Sequence, residues 1–127
     1  MDLLQTGSDW LQEQRAKFLT RNVLYQRDTE SVLLSATVGK TIFRVDTGYG
    51  RLERLESRDY LVTASELILS GQVKLPEAGD CIRETDGSTV YVYEVMAPGN
   101  EPVYRYSDPY RKTLRIHTKL VATEPAT

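Results

Sequence analysis

At 127 residues and 14.4 kDa the chain has room for one domain and one hydrophobic core. Apolar residues make up 40% and charged residues 27%, the balance of a globular chain rather than a disordered one. Its formal net charge of −2 argues against a chain built to coat a polyanion. The longest apolar runs, such as Val32 to Leu34 and Leu67 to Leu69, are too short to cross a membrane as a helix. Met1 to Gln5 carry neither a charged leader nor a sustained apolar stretch, so no export signal is expected. The single cysteine, Cys81, cannot close an internal disulfide and is expected as a small core or strand residue in a reducing compartment.

In chain order, the first signal is helical. Asp9 with Gln12 three residues on makes an acidic capping box, and Trp10, Leu11, Phe18 and Leu19 recur at helical spacing. This predicts a short amphipathic α-helix over about 9–19, which needs a surface to lie on. From Asn22 the pattern turns to strands. Val23 to Arg27 and Ser31 to Val38 read as a hairpin through Asp28-Thr29-Glu30, and Lys40 to Val45 as another strand after Gly39. Asp46-Thr47-Gly48-Tyr49-Gly50 is a glycine-bearing turn. Arg51 to Glu56 has a mixed period and reads as a strand, which Asp59 to Val62 continues or restarts. Thr63 to Leu69 suggests one helical turn that Gly71 ends.

The second half is more regular. Leu75 to Asp80 is a turn, Cys81 to Glu84 a short strand, and Asp86-Gly87 a tight-turn pair. Val90 to Val95 is β-branched and aromatic on both phases, as in a well-buried strand. A loop from Ala97 to Pro102 leads to a fragment at Val103 to Tyr106, interrupted at Ser107-Asp108-Pro109. Thr113 to Val121 alternates, with Leu114, Ile116 and Leu120 on one side and Arg115, His117 and Lys119 on the other. The sum is a mainly β domain over 1–127. It is a small β-barrel or sandwich over about 22–121, with a short N-terminal α-helix and a patternless, mobile tail at 122–127.

Reactive constellations are scarce. His117 is the only histidine and lies between Arg115 and Lys119 on the outward phase, the position of a surface or interface residue. One cysteine and one histidine cannot supply the nitrogen and sulfur ligands of a zinc site. The acidic stretch Asp80 to Asp86 lacks the alternation of a calcium loop and reads as a solvated turn. The Gly48–Gly50 turn has no lysine and no following helix, so it is not a phosphate loop. Ser65, Ser70 and Ser107 have no histidine near them in sequence, and pairs such as Glu53/Glu56 or Glu84/Asp86 read as solubility charges. No enzymatic site, metal or cofactor is expected.

Two features stand out. There are eight tyrosines, and Tyr91, Tyr93, Tyr104, Tyr106 and Tyr110 fall within twenty residues, a concentration that serves a core or an interface equally well. Charge is also segregated. From Glu66 to Glu101 there are seven acids and two bases, and from Pro102 to Val121 five bases and one acid. Such segments either neutralise each other as neighbouring strands or let copies pair head to tail, which closes into a ring when the rotation allows.

One stretch resembles a known family. A turn ending in Gly79-Asp80, the Ile82 strand, the Asp86-Gly87 turn and the strand Val90-Tyr91-Val92-Tyr93-Glu94-Val95 are similar to the core hairpin of tailed-phage head-completion proteins. These are also called head–tail joining or head-closure proteins. Arg58 to Val62 and Thr113 to Lys119 fit the same plan, so the resemblance spans about half the chain. It implies a small barrel, made in the host cytoplasm, whose copies form a six- or twelve-fold ring at the virion neck. The ring would meet the portal or its adaptor on one side and the tail tube or tail terminator protein on the other. DNA would pass through its lumen without sequence-specific contact, and no membrane is involved. The helix over 9–19 departs from the smallest members, which leaves a tail-completion (terminator) protein as one alternative and a generic protein-binding barrel as another. The expected contact loops are Asp46 to Gly50 and Ala97 to Lys112. Within them Arg105, Arg111 and Lys112 are the charged interface residues, and Tyr104, Tyr106, Tyr110 and Tyr49 the aromatic ones.

Overall fold

A computed structural model describes residues 20–46, 48, 50, 52–99 and 101–126. The helix expected over 9–19 lies outside these residues. Alternating inward residues, Val23 and Tyr25, define β1 (Thr20–Arg27). A two-residue turn, with Asp28 in the left-handed region, leads into β2 (Glu30–Asp46). Then come β3 (Leu52–Thr63), one 3-10 turn (Ala64–Glu66), and a miniature hairpin of β4 (Ile68–Leu69) and β5 (Gln72–Val73). The chain finishes with β6 (Cys81–Asp86), β7 (Thr89–Val95), β8 (Tyr104–Tyr106) and β9 (Thr113–Pro125).

Seven strands form one antiparallel sheet in the order β3-β2-β1-β6-β7-β9-β8. The first half of β9 also pairs with β3, from Thr63↔Thr113 to Arg58↔Thr118, while its second half pairs with β7. The pairings β3-β2-β1-β6-β7-β9-β3 therefore form a closed circuit. Tyr25, Leu34, Tyr60, Ile82, Leu114 and Ile116 lead the core, and Leu67 and Leu69 from the 3-10 segment and β4 join it. Because every neighbour is antiparallel, the connections gather at two ends. The turns at 28–29 and 107–112 and the segments 64–80 and 96–103 lie at one end, here the loop end. The β2–β3 and β6–β7 connections and the last residues of β9 lie at the other. There β2 and β3 continue as a ribbon, 41–46 against 52–57, after β3 has parted from β9.

Several boundaries differ from the sequence reading. Gly39 does not break a strand. It sits inside β2 opposite Asp59, where a Cβ would lie 3.3 Å from the Arg115 guanidinium, so the glycine gives Arg115 room to cross β2. Leu52 to Glu56 and Asp59 to Val62 belong to one strand, β3, so the second stretch continues the first. The tight turn after β6 is shifted by one residue: Asp86 still pairs with Thr89, and Gly87-Ser88 make the loop. Thr63 stands at the start of the 3-10 turn without a capping side-chain bond. Residues 122–125, expected as a mobile tail, complete β9. Ala122, Thr123, Glu124 and Pro125 face Val92, Tyr91, Val90 and Thr89 after a bulge at the Val92/Tyr93 step. Their pattern was unreadable because all four are exposed: the partner strand, not burial, holds them.

Hydrogen exchange tests that last point. Amides of residues 122–124 bonded to β7 should exchange slower than in an unstructured peptide, whereas random-coil rates throughout would return the segment to a mobile tail.

Candidate functional site

The sequence offered its carboxylates as surface charge, yet three are buried and each is held by arginine. Asp59 on β3 lies on the sheet face opposite the core and has no exposed surface. Its Oδ1 accepts hydrogen bonds from Ser57 Oγ (2.6 Å) and His117 Nδ1 (2.9 Å), and its Oδ2 from Arg115 Nε (2.6 Å) and Thr41 Oγ1. Burial alone would raise the Asp59 pKa, but the donors from His117, Ser57, Thr41 and Arg115 outweigh it and hold the carboxyl well below its usual range. His117 is thus buried, 2% exposed, with Phe43 edge-on at 5.3 Å, and is not the surface residue its charged sequence neighbours suggested. The alternation misled because Arg115 folds back over the sheet instead of entering solvent.

Ser57, His117 and Asp59 have the composition of a hydrolytic triad but not its geometry. Ser57 Oγ gives its hydrogen bond directly to Asp59, and serine and aspartate approach the same ring nitrogen, with Ser57 3.3 Å from His117 Nδ1. A relay needs the serine on one ring nitrogen and the carboxylate on the other. The cluster is a lock between β3 and β9, where Asp59 and His117 are direct partners in the pairing register.

The other two carboxylates close the ends of the core. At the loop end, Asp80 receives bonds from Tyr25 Oη, from Arg27 Nε (3.0 Å) and Nη2 (2.8 Å), and from the Glu77 amide (3.0 Å). At the opposite end, Glu84 Oε2 receives Arg58 Nη2 (2.6 Å) and Tyr60 Oη (3.2 Å), while Arg58 Nε donates to the same tyrosine oxygen (3.0 Å). In each case tyrosine and arginine are two residues apart on one strand face, Tyr25/Arg27 and Arg58/Tyr60. Desolvation raises both tyrosine pKa values, so the hydroxyls stay protonated as donors. The Asp80–Asp86 stretch is therefore not a solvated turn: Asp80 and Glu84 point inward and only its far end is exposed. The i, i+2 spacing of tyrosine and arginine was visible in the sequence, but their carboxylates lie 26 and 53 residues away. Cys81 is half-buried on β6, its thiol pKa pushed up by burial and by nearby Glu94. Among the described residues no group of His, Cys, Asp and Glu could hold a metal ion.

Six of the seven expected interface residues come together at the loop end. Tyr104, Arg105 and Tyr106 form β8, the edge strand, and 107–112 connect it to β9. Tyr104 and Tyr106 rest partly on the core and meet edge to face at 5.9 Å, the core role of the two the sequence left open. Tyr110 is 79% exposed. Asp108 stiffens the loop by accepting from the amides of Tyr110, Lys112 and Thr113 at 2.8–3.2 Å. Arg111 holds φ 58°, a left-handed conformation rare for arginine, with its guanidinium 5.8 Å from the Tyr106 ring centre. Arg105, Arg111 and Lys112 are exposed and have no ion-pair partner among the described residues. The seventh, Tyr49, lies outside the described residues.

A family model described as phage head-tail joining protein matches residues 1–125. The chain belongs to this family. As a head–tail joining chain it is a structural bacteriophage protein of the head–tail connector, a virion component that meets head and tail parts. No curated protein and no solved structure gives a significant match.

Two outcomes follow for this joining chain. Asp59→Asn leaves Arg115 without its charge partner and should cost about 3–5 kcal/mol at neutral pH. Because the folded-state pKa is depressed, that stabilisation is full above the unfolded value near 4 and fades as pH falls below it. The stability gap between variant and parent, measured by urea unfolding, should accordingly narrow below about pH 4. Arg111→Gly should leave stability within about 0.5 kcal/mol, since relief of the left-handed strain and the freer unfolded chain offset each other. It should nevertheless weaken assembly into particles. A large loss of thermal stability would show that Arg111 is needed for the fold.

Proposed function

We propose that this chain is a neck protein whose copies form a six- or twelve-fold ring between the DNA-filled head and the tail. One rim would meet the portal or its adaptor, and the other the tail tube or terminator. The packaged DNA would pass through the lumen without sequence-specific contact, and the protein would be made in the host cytoplasm before joining the virion. The reading treats the closed circuit of pairings as a small β-barrel, a shape with few free edges and therefore suited to defined contacts. It rests on one observation above all. The loop end carries Arg105, Arg111 and Lys112 without compensation beside exposed Tyr110, while the β2–β3 ribbon extends from the opposite end. Uncompensated arginine beside tyrosine is the composition of an interface core, and two unlike ends give each copy two different contacts, as a heterologous ring requires.

The test is electron microscopy of particles carrying the Arg111→Glu/Lys112→Glu double variant beside the parent. Parent particles should show a closed ring of this chain at the neck. The variant should fold with an unchanged melting midpoint yet give tailless heads. Normally tailed particles, or parent particles without such a ring, would overturn the proposal.

A further inference from the structure

Beyond Asp59, the outer face of the sheet carries a groove of about 430 Å³ that crosses four strands. It is lined by Thr20 of β1, Ser35 and Thr37 of β2, Leu61 and Thr63 of β3, and Thr113 of β9. Ser35 and Thr37 alternate with the core residues Leu34 and Ala36, and Leu61 and Thr63 with Tyr60 and Val62, so the groove lies on the side away from the core. Arg115, which pairs with Leu61 in register, turns to Asp59 and the Lys40 carbonyl instead. The one charged lining residue is Glu66, exposed and without an ion pair among the described residues. A threonine-rich face can stay in water; what singles this one out is the chain that enters it. Thr20, at one end of the groove, is the first residue of β1, so residue 19 and those before it arrive there.

Residues 9–19 carry the pattern that needs such a surface, with Trp10, Leu11, Phe18 and Leu19 at helical spacing and the cations Arg15 and Lys17 among them. At helical rise this segment covers about 16 Å. Crossing from β1 over β2 and β3 to β9 takes three strand spacings, about 14 Å. Length and groove therefore match, and the cations of the segment meet a groove whose own charge is negative. We propose that residues 9–19 lie across this groove of their own copy, with Phe18 beside Thr37 and Leu61 near the entry and Trp10 over Thr63 and Thr113. The threonine methyls and Leu61 take the apolar face, and a hydroxyl accepts the indole N–H, the one polar group that Trp10 must satisfy. The segment is then part of the domain and not an arm reaching to a neighbour in the connector. The inference concerns a single copy and does not depend on the ring.

The full-length chain tests this through Trp10, its single tryptophan. Acrylamide should quench the native indole about threefold more slowly than the urea-unfolded one, the ratio for a side chain covered about two-thirds of the time. The double variant Ser35→Lys/Thr63→Lys puts two cations at exposed groove positions, and Thr63 makes no capping bond that the change could break. It should restore fast quenching with strand content unchanged. Nuclear Overhauser contacts in the parent locate the surface without any variant: Trp10 ring protons should reach the methyls of Leu61, Thr63 or Thr113. Native quenching as fast as in the unfolded chain would overturn the docking, as would a folded variant that keeps Trp10 covered. Ring contacts to another face would do the same, and so would contacts that run only between copies in a mixture of labelled and unlabelled chain.

Discussion

The pairing of β3 with β9 is the constraint on which the rest depends, and Asp59 holds it. Without that ladder the seven strands are an open sheet with two free edges. With it they return on themselves and enclose Tyr60, Leu114 and Ile116 on one side. A hydrophobic face alone fixes which side of a strand points inward but tolerates slippage by two residues. Asp59 removes that freedom. Its two oxygens are claimed by four side chains from three strands: Thr41 on β2, Ser57 on its own strand, and Arg115 and His117 on β9. A two-residue slip of β9 would set Arg115 or Lys119 opposite Asp59 in place of His117 and break up this set of four donors. Thr118 Oγ1, 2.6 Å from the Arg58 carbonyl, adds a neutral tie at the point where β9 leaves β3 for β7.

Closing the circuit creates a second demand. The enclosed core has two ends, and a residue there meets both apolar neighbours and water. The chain answers twice in the same way, with a carboxylate bound by a tyrosine hydroxyl and an arginine, Asp80 at the loop end and Glu84 at the other. The tyrosine ring belongs to the core and its hydroxyl to the polar layer, so one side chain crosses the boundary. The two ends are not equal. Asp80 has both oxygens bonded, and its backbone is tied to the end of β7 through Val95. Glu84 has Oε2 hydrogen-bonded, while Oε1 is enclosed with no hydrogen bond and only an ion pair to Arg21 at 3.2 Å.

What the sequence could and could not reveal follows from the range of each interaction. Strands with one buried face were legible from their period, as in Val23/Tyr25 and Leu114/Ile116, and so were the turns at Asp28 and Gly79-Asp80. The tyrosines of β8 and the basic corner after them were found as a cluster because they are close in sequence. Lost were features that depend on a distant partner. Gly39 reads as a break unless Arg115, far along the chain, is known to cross it. His117 reads as exposed unless Asp59 is known to face it. Residues 122–125 read as a tail because their strand is defined by β7 and not by burial. The i, i+2 tyrosine–arginine pairs gave a usable signal: an arginine on the inward phase of a strand requires a buried carboxylate somewhere in the chain.

The charge segregation of the sequence also changes meaning in three dimensions. Of the seven acids between Glu66 and Glu101, Asp80 and Glu84 turn inward and meet arginines from β1 and β3, not the basic segment. Of the five bases between Pro102 and Val121, Arg115 turns inward to Asp59. Between the two segments the one direct acid–base neighbour across the β7–β9 pairing is Glu94 opposite Lys119, which form no ion pair. Burying ion pairs whole contributes little net stability compared with apolar packing, but each pair fixes one arrangement because a half-pair is so costly. The interior charges thus specify register and closure and leave the surface balance to those that remain outside. Those include Arg105, Arg111, Lys112 and Lys119, none with an ion-pair partner among the described residues. A chain of near-neutral total charge can in this way present a basic corner at one end.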